Sequence, residues 1–521
     1  MTTETSIYEY AKQGLVFSAD RPAIWFYGKS ITYRSLFEKI DNLADHLYTL
    51  GVRDGTVVTI HLPNCPQAVM AVYAVAKLGG ICNMLHALVP AAELRENMAF
   101  TESSVLITYR ADCCDADATV LYADISSHMS LLFRTGYRVK NGVKCPVGAI
   151  AFEAMEEACE TKGVFPEPDS LGKECVCYLH SSGTTGVPKT VMHSHRALNN
   201  WVANAQSFFH SPSMVGETLL EVLPLFHGSG LVMDMHQFIT GGGTLVQMAQ
   251  WNVEQAVRFI KKYKISSLTG VPRVYQDLLK APKFEGVTIH QGYVSGDYVG
   301  TELKKAFNAR VRREACLFEG YGMTETVTAC FSCGVDHNNL AASGFPLANC
   351  YIAVLLPDGT IADRGEGELL VTTNTMMLGY LKDEITTMAV FIERDGVRWL
   401  RSGDAGMIDS DGYVYYTERL KNTIIHNGYN VFPAEVEKVI RAVPGVSDVC
   451  VVGVWDDEKK TQFIRACVIA EKPDETLKEK IEQACGNHLP RYALPRQILF
   501  MEALPRNRMA KVDRKALETA E

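Results

Sequence analysis

The chain has 521 residues, of which 47% are hydrophobic and 21% charged, and its formal charge is −9. That length exceeds one ordinary core, so two or more domains are expected, and the composition is that of a folded water-soluble protein, not a disordered or fibrous one. The acidic balance, with no basic tract, argues against nucleic acid or an anionic membrane as the main partner, while leaving room for a nucleotide in a local basic pocket.

The chain opens without a basic leader followed by an apolar core, so no secretory signal is expected. The apolar run at 68–76 is too short to cross a bilayer, and no integral membrane segment is expected. Fifteen cysteines are scattered without a disulfide-like spacing, which predicts reduced thiols and a cytoplasmic location. Cys330-x-x-Cys333 and His193-x-His195 lack a further ligand pair at metal spacing and read as core or surface residues.

Residues 23–26 and 30–33 predict a short strand pair, 35–50 a helix stopped before Gly51, 57–62 a strand, 66–78 a helix ended by Gly79-Gly80, and 81–85 and 105–108 further buried strands. This alternation predicts a parallel sheet covered by helices. Residues 111–169 look irregular. The rhythm resumes at Cys175, with helices expected at 197–209 and 251–263, a strand end at 221–224 and a strand at 266–269. Residues 344–404 read as a β-rich subdomain of short strands separated by turns. After Arg419 a smaller α+β segment follows, with helices at 433–441 and 475–488. The fold class expected is therefore α/β: a large N-terminal domain (1–420) of layered α/β subdomains plus the β-rich part, and a small C-terminal α+β domain (421–521).

The strand at 175–179 leads into a hydroxyl- and glycine-rich loop, Ser181, Ser182, Gly183, Thr184, Thr185 and Gly186, closed by Val187-Pro188-Lys189. Glycines let backbone N–H groups turn towards an anion, hydroxyls add neutral donors and lysine adds a point charge, so the loop suits a triphosphate. A flexible surface loop is the plain alternative. Residues 183–190 also nearly fit the phosphate-loop pattern G-x-x-x-x-G-K-[ST]. Pro188 stands at its second glycine, though, and proline offers neither an N–H nor a positive φ.

Further along, LPLFHGSG (223–230) puts Phe226 and His227 at a strand end, where parallel sheets open to ligands; a turn with a packed histidine reads equally from the residues. VSGDY (294–298) holds Gly296, which lets the backbone approach a flat base, and Asp297, which either accepts an amino hydrogen bond or is solvated. GYGMTET (320–326) offers the aromatic face of Tyr321, the hydroxyl of Thr324 for a phosphate oxygen and the carboxylate of Glu325 for Mg²⁺, a hard cation; a strand followed by a capped helix is the alternative. Asp404, in LRSGD, brings a carboxylate able to accept two hydroxyl hydrogens. Arg419, Lys421 and Gly428 lie in the stretch 418–433, where solvated charges are the alternative for the two cations, and Lys511 lies in the basic segment 504–515, where composition alone reads as a solvated lysine.

In this order the motifs resemble the signatures of the adenylate-forming superfamily, within it the acyl-CoA synthetase or AMP-dependent synthetase and ligase family, and they span most of the chain. The departures are Thr190, Ser295, Asp297, Tyr298, Asn507 and Ala510. The resemblance implies an enzyme that takes ATP, Mg²⁺, CoA and a carboxylic acid, fatty or aryl. It makes an acyl-adenylate with release of pyrophosphate, then an acyl-CoA thioester. It assigns the loop from Ser181 to Lys189 to the phosphates, Thr184 and Glu325 to the metal, Tyr321, Gly296 and Asp297 to the adenine site, and Asp404 and Arg419 to ribose or phosphate. His227 becomes a gate between acyl pocket and adenylate, Lys421 the hinge of a mobile C-terminal domain, Gly428 a lining of the thioester site, and Lys511 the cation at the acid carboxylate and α-phosphate. The amino-acid-activating branch has an aspartate after the phenylalanine. Here His227 stands in that place, so an α-amino group would lack its charge partner. The alternatives are a ligase that loads a carrier-protein thiol and a non-catalytic nucleotide-binding relative. Asp234 or Asp297 would serve a polar or basic substrate group.

Overall fold

The computed structural model describes residues 3–161, 174–181, 189–296, 299–311, 317–426, 429–457, 460–506 and 512–520. The chain divides into two compact units, Met1–Tyr351 with Val371–Leu400, and Ile352–Leu370 with Arg401–Glu521.

The first unit is built on two sheets. In the eight-stranded one the order is Gly379–Tyr380, Lys189–Ser194, Cys175–Ser181, Ile81–Met84, Val57–His61, Val105–Thr108, Thr119–Tyr122, Ile150–Ala151. From Cys175–Ser181 onwards its strands run parallel, and along the other edge Lys189–Ser194 pairs antiparallel with both Cys175–Ser181 and Gly379–Tyr380. Parallel strands are covered on both faces, which is why Val57–His61 reads VVTIH and is buried at every position. Helix Pro66–Lys77 starts with proline at its first turn and buries every residue except Lys77, as its apolar composition all round demands.

The nine-stranded sheet has the order Phe345–Pro346, Ala329–Ser332, Leu317–Gly322, Gln291–Val294, Ser267–Gly270, Thr218–Glu221, Thr244–Gln247, Pro22–Phe26, Lys29–Thr32. Its strands from Leu317–Gly322 to Pro22–Phe26 are parallel. Thr218–Glu221 has the next strand in the chain on one side and the one after that on the other. The chain's winding reverses there. Loops leaving the carboxyl ends of strands beside such a reversal border the crevice in which open α/β sheets bind ligands.

Residues 111–161 are more regular than their sequence predicts. They contain the strand Thr119–Tyr122 and the helix Leu131–Asn141. The helix buries none of its residues fully, and Phe133 packs against Tyr27 from its inner side. The strand expected to reach 224 ends at Glu221. Beyond it Asn64 replaces a neighbouring strand, donating to the Leu223 carbonyl at 2.9 Å and accepting from the Leu225 N–H at 3.1 Å.

In the second unit the hairpin Val446–Asp456 and Thr461–Ala470 pairs with the parallel strand Gln497–Phe500. Helices Pro433–Arg441 and Glu475–His488 lie where the sequence puts them, and Val436, Ile440, Val451, Ile464 and Ile481 share one core with Ile424. The expected α/β architecture, β-rich stretch and α+β segment are all present.

Candidate functional site

The phosphate-loop candidate is held at both ends by a hairpin. Ser181 and Lys189 face each other across the strands Cys175–Ser181 and Lys189–Ser194. The intervening Ser182, Gly183, Thr184, Thr185 and Gly186 lie outside the described residues. Thr190, where the resembling family has glycine, is buried; its hydroxyl is 3.1 Å from His180 Nδ1, and His180 Nε2 donates to Asn83 Oδ1 at 2.8 Å. Gly379–Tyr380 pairs alongside, Tyr380 opposite Val191, so sheet pairing brings a distant tyrosine to the end of the hairpin.

The motif at 320–326 closes the strand Leu317–Gly322. Tyr321 sits opposite Phe331, and the two rings stack 4.5 Å apart at 10°. A Cβ on Gly322 would lie 2.0 Å from the Thr328 carbonyl oxygen, so no other residue fits. After the turn Thr324–Thr326 the backbone of Val327 takes φ +71°, a costly conformation for a β-branched residue, worth about 1–3 kcal/mol of strain. Three donors hold that turn: His193 Nε2–H to the Thr324 carbonyl at 2.8 Å, Met377 N–H to the Glu325 carbonyl at 2.8 Å, and the Thr375 hydroxyl to the Thr326 carbonyl at 3.1 Å. Burial pushes the His193 imidazole down to about 4, against the pull of the Thr324 carbonyl, so the ring is neutral and Nε2 carries its hydrogen.

The Glu325 carboxylate accepts the Tyr380 hydroxyl at 2.8 Å, and Lys189 Nζ stands 4.7 Å from the centre of the same ring. Burial first, then the charge of Glu325, raises the tyrosine well above its ordinary value, so it remains a donor. Lys189 and Glu325, read from two separate motifs, therefore meet on one side chain that the sequence did not single out. The available signal was Gly379-Tyr380, a short uncharged segment after the strand Gly365–Thr373.

His227 lies in the loop after Thr218–Glu221 and is half-buried, its ring 4.3 Å from that of Phe226. Gly228 sets its depth, because a Cβ there would lie 1.7 Å from the Val327 carbonyl oxygen. The Ser229 and Thr328 hydroxyls are 2.8 Å apart. Gly296 follows the strand Gln291–Val294 with φ +87°, a backbone that favours glycine; Asp297 lies outside the described residues. His227, Gly296, Tyr321, Thr324 and Glu325 thus leave the same edge of one parallel sheet. Deeper in, Asp234 is fully buried and both its carboxyl oxygens lie 2.7 Å from the Thr269 hydroxyl; burial pushes its carboxyl far up. Its carboxyl is thus committed inside the core, to Thr269.

In the second unit Asp404 and Arg419 face each other across the strands Val397–Ile408 and Val414–Arg419, and the guanidinium Nε is 3.0 Å from the carboxylate. Asp404 is completely buried, whereas the Arg419 side chain is 35% exposed. The Ser-Gly-Asp segment is thus strand, not a turn. Lys421 is exposed on the short turn Leu420–Asn422. Glu418 is buried, and burial pushes its carboxyl up to about 8. Gly428 and Lys511 lie outside the described residues.

Among the described residues no group of three or more His, Cys, Asp or Glu side chains is placed to hold a metal ion. The single carboxylate of Glu325 fits Mg²⁺, which keeps its waters and takes phosphate oxygens together with one or two carboxylates. Cys333 bonds the Asn339 and Ala342 carbonyls while Cys330 bonds that of Tyr321, so the C-x-x-C residues point into different surroundings.

A family model described as AMP-binding enzyme matches residues 12–381, and one described as AMP-binding enzyme C-terminal domain matches residues 435–511. The chain is 28% identical over 498 residues to the long-chain-fatty-acid–CoA ligase FadD13 of Mycobacterium tuberculosis, covering 92% of this chain and 91% of that protein. It is 27% identical over 506 residues to 4-coumarate–CoA ligase 1 of Petroselinum crispum, covering 94% and 89%. Its fold matches ATP-bound MatB from Rhodopseudomonas palustris with a TM-score of 0.82 at 23% identity, over 99% of each chain.

Proposed function

This chain belongs to the AMP-binding enzyme family, and on that premise we propose that it is an AMP-forming acid–thiol ligase that activates a fatty or aryl carboxylic acid with ATP and passes the acyl group to CoA. The carboxylate oxygen attacks the α-phosphorus of ATP, pyrophosphate leaves, and the acyl-adenylate then yields AMP when the CoA thiol attacks its carbonyl. AMP is a far better leaving group than oxide, which is what the first half-reaction supplies. The relatives named as fatty-acid and 4-coumarate ligases support both the reaction and the acid classes.

The observation that carries this reading is the Lys189–Tyr380–Glu325 arrangement beside Tyr321 and Thr324. Lys189 and the loop it closes hold the β- and γ-phosphates, the ring of Tyr321 takes the adenine together with the backbone at Gly296 and Asp297, and Thr324 binds a phosphate oxygen. Glu325 and Thr184 hold Mg²⁺, which supplies charge neutralisation on the phosphates when bound. Asp404 accepts the ribose hydroxyls while Arg419 reaches ribose or phosphate, His227 gates the acyl pocket, Lys421 is the hinge, and Gly428 lines the thioester site. Lys511 neutralises charge at the α-phosphate. These are positioning and electrostatic roles, the main means of accelerating phosphoryl chemistry. We assign residues 1–420 to the adenylating domain and 421–521 to the small domain. Cytoplasmic residence is supported by the cysteines, every one of which is a free thiol among the described residues. No helix among those residues is long and apolar enough to cross a membrane.

The test is ATP–pyrophosphate exchange over aliphatic, aryl, polar and amino acids, repeated with CoA. Exchange with fatty or aryl acids followed by CoA thioester is the expected result. Exchange without CoA turnover would redirect the second step to a carrier-protein thiol. ATP binding without exchange for any acid would overturn the ligase reading, and Lys511→Ala is expected to abolish exchange while ATP still binds.

A further inference from the structure

The helix Leu131–Asn141 is amphipathic in an unusual sense: its outward face is apolar. Leu131, Leu132 and Val139 are 80%, 82% and 82% exposed. At the α-helical spacing Leu131, Thr135, Val139, Leu132 and Gly136 cover a continuous arc of roughly 140°, with Arg138 just beyond one margin and Lys140 just beyond the other. The opposite arc holds the helix to the body: the Phe133 ring stands edge-on to Tyr27 at 5.5 Å, Tyr137 is half-buried, and its hydroxyl is pushed up to about 12 by that burial. Past the Gly142 cap, Lys144 and Val147 are exposed as well.

Charge singles out this surface. Residues 125–152 contain Arg134, Arg138, Lys140 and Lys144 and no Asp or Glu, in a chain whose net charge is −9. Arg138 pairs with Asp124 beneath the helix. No ion pair among the described residues involves Arg134, Lys140 or Lys144.

We propose that this helix docks the protein onto anionic lipid surfaces, with Leu131, Leu132 and Val139 entering the boundary between headgroups and acyl chains and Lys140 and Lys144 meeting lipid phosphates. An apolar arc flanked on both margins by cations is the arrangement that lies flat in a bilayer interface. A second copy of the chain suits this face poorly: a two-fold contact would set the cations of one helix against those of the other. The acidic balance of the whole chain, which argued against a membrane partner, averages over a local patch of opposite sign. The proposal does not depend on the reaction catalysed.

Flotation of the full chain with phosphatidylcholine vesicles, alone or with about 30 mol % phosphatidylglycerol, tests it. The expected result is roughly tenfold more protein on the anionic vesicles, declining as salt rises. A combined Leu131→Ser, Leu132→Ser, Val139→Ser variant is expected to drop to the phosphatidylcholine level while keeping its thermal midpoint and pyrophosphate exchange. Lys140→Glu with Lys144→Glu, which leaves the apolar arc intact, is expected to lose the preference for anionic vesicles. Equal recovery of wild type and the serine variant on anionic vesicles, or no recovery of either, overturns the proposal. So does a wild-type dimer in sedimentation that the serine variant turns into monomer, because the face would then be an interface between copies.

Discussion

The hydroxyl of Tyr380 donates to the carboxylate of Glu325 at 2.8 Å. The bond fixes the carboxylate's orientation, and a hydrogen bond to a charged group is worth about 1.5–3 kcal/mol. Tyr380→Phe keeps the ring under Lys189 and removes only that bond. Pyrophosphate exchange is expected to fall about 10- to 100-fold, with the apparent KM for Mg-ATP raised. Unchanged kinetics would leave Tyr380 as a packing residue.

Gly228, in the loop carrying His227, abuts the turn carrying Glu325: an added Cβ would lie 1.7 Å from the Val327 carbonyl oxygen. Backbone meets backbone there, so no side-chain rotation relieves the clash. Gly228→Ala is expected to cost more than about 3 kcal/mol or to displace the turn, lowering both the thermal midpoint and exchange activity. Scanning calorimetry on the variant checks the first and exchange assays the second.

Glu221 is fully buried at the end of its strand, and its Oε2 accepts from Gln247 Nε2 at 2.6 Å. Burial raises its carboxyl from 4.5 to about 8, partly countered by Gln247. The folded state therefore holds a proton that the unfolded chain has released above pH 4.5. The resulting stability is fully present below pH 4.5, declines as pH rises, and is gone above about 8. Glu221→Gln removes this dependence. The variant is expected to match wild type near pH 4.5 and to be more stable near pH ~9, by on the order of 5 kcal/mol at most. A pH-independent gap between the two would contradict the assignment.

Asp404 faces Arg419 across adjacent strands with 3.0 Å between the charged groups. Asp404→Asn keeps the shape and removes one strong acceptor. The expected outcome is a roughly 10- to 100-fold lower kcat/KM for ATP, with a smaller change for the acid. A loss seen equally with every substrate, together with a lower thermal midpoint, would point to folding instead of ribose binding.

Much of the fold was legible because its signals are local. The buried parallel strands at 57–61, 81–84 and 105–108 read as apolar runs, and helices Pro433–Arg441 and Glu475–His488 carried full turns of periodicity between breakers. Helix Leu131–Asn141 has periodic apolar residues, but that they face solvent and not a core is decided only by the tertiary structure. The motifs bearing His227, Tyr321 and Glu325 were recognisable by residue type and spacing. Their meeting at one edge of a sheet was not, because it follows from a strand order that reverses beside Thr218–Glu221.

By itself, then, the sequence determined the residue types available for nucleotide chemistry, their order along the chain and the family they belong to. Only the tertiary structure decided that Tyr380 would stand between Lys189 and Glu325, that His193 would be neutral and bonded to the Thr324 carbonyl, and that Asp234 would be bonded to Thr269 inside the core. The physical reason is that protonation state and hydrogen-bond partner depend on burial and on neighbours supplied by strands far away in sequence. Periodicity and motif spacing report on local backbone preference and carry no information about either.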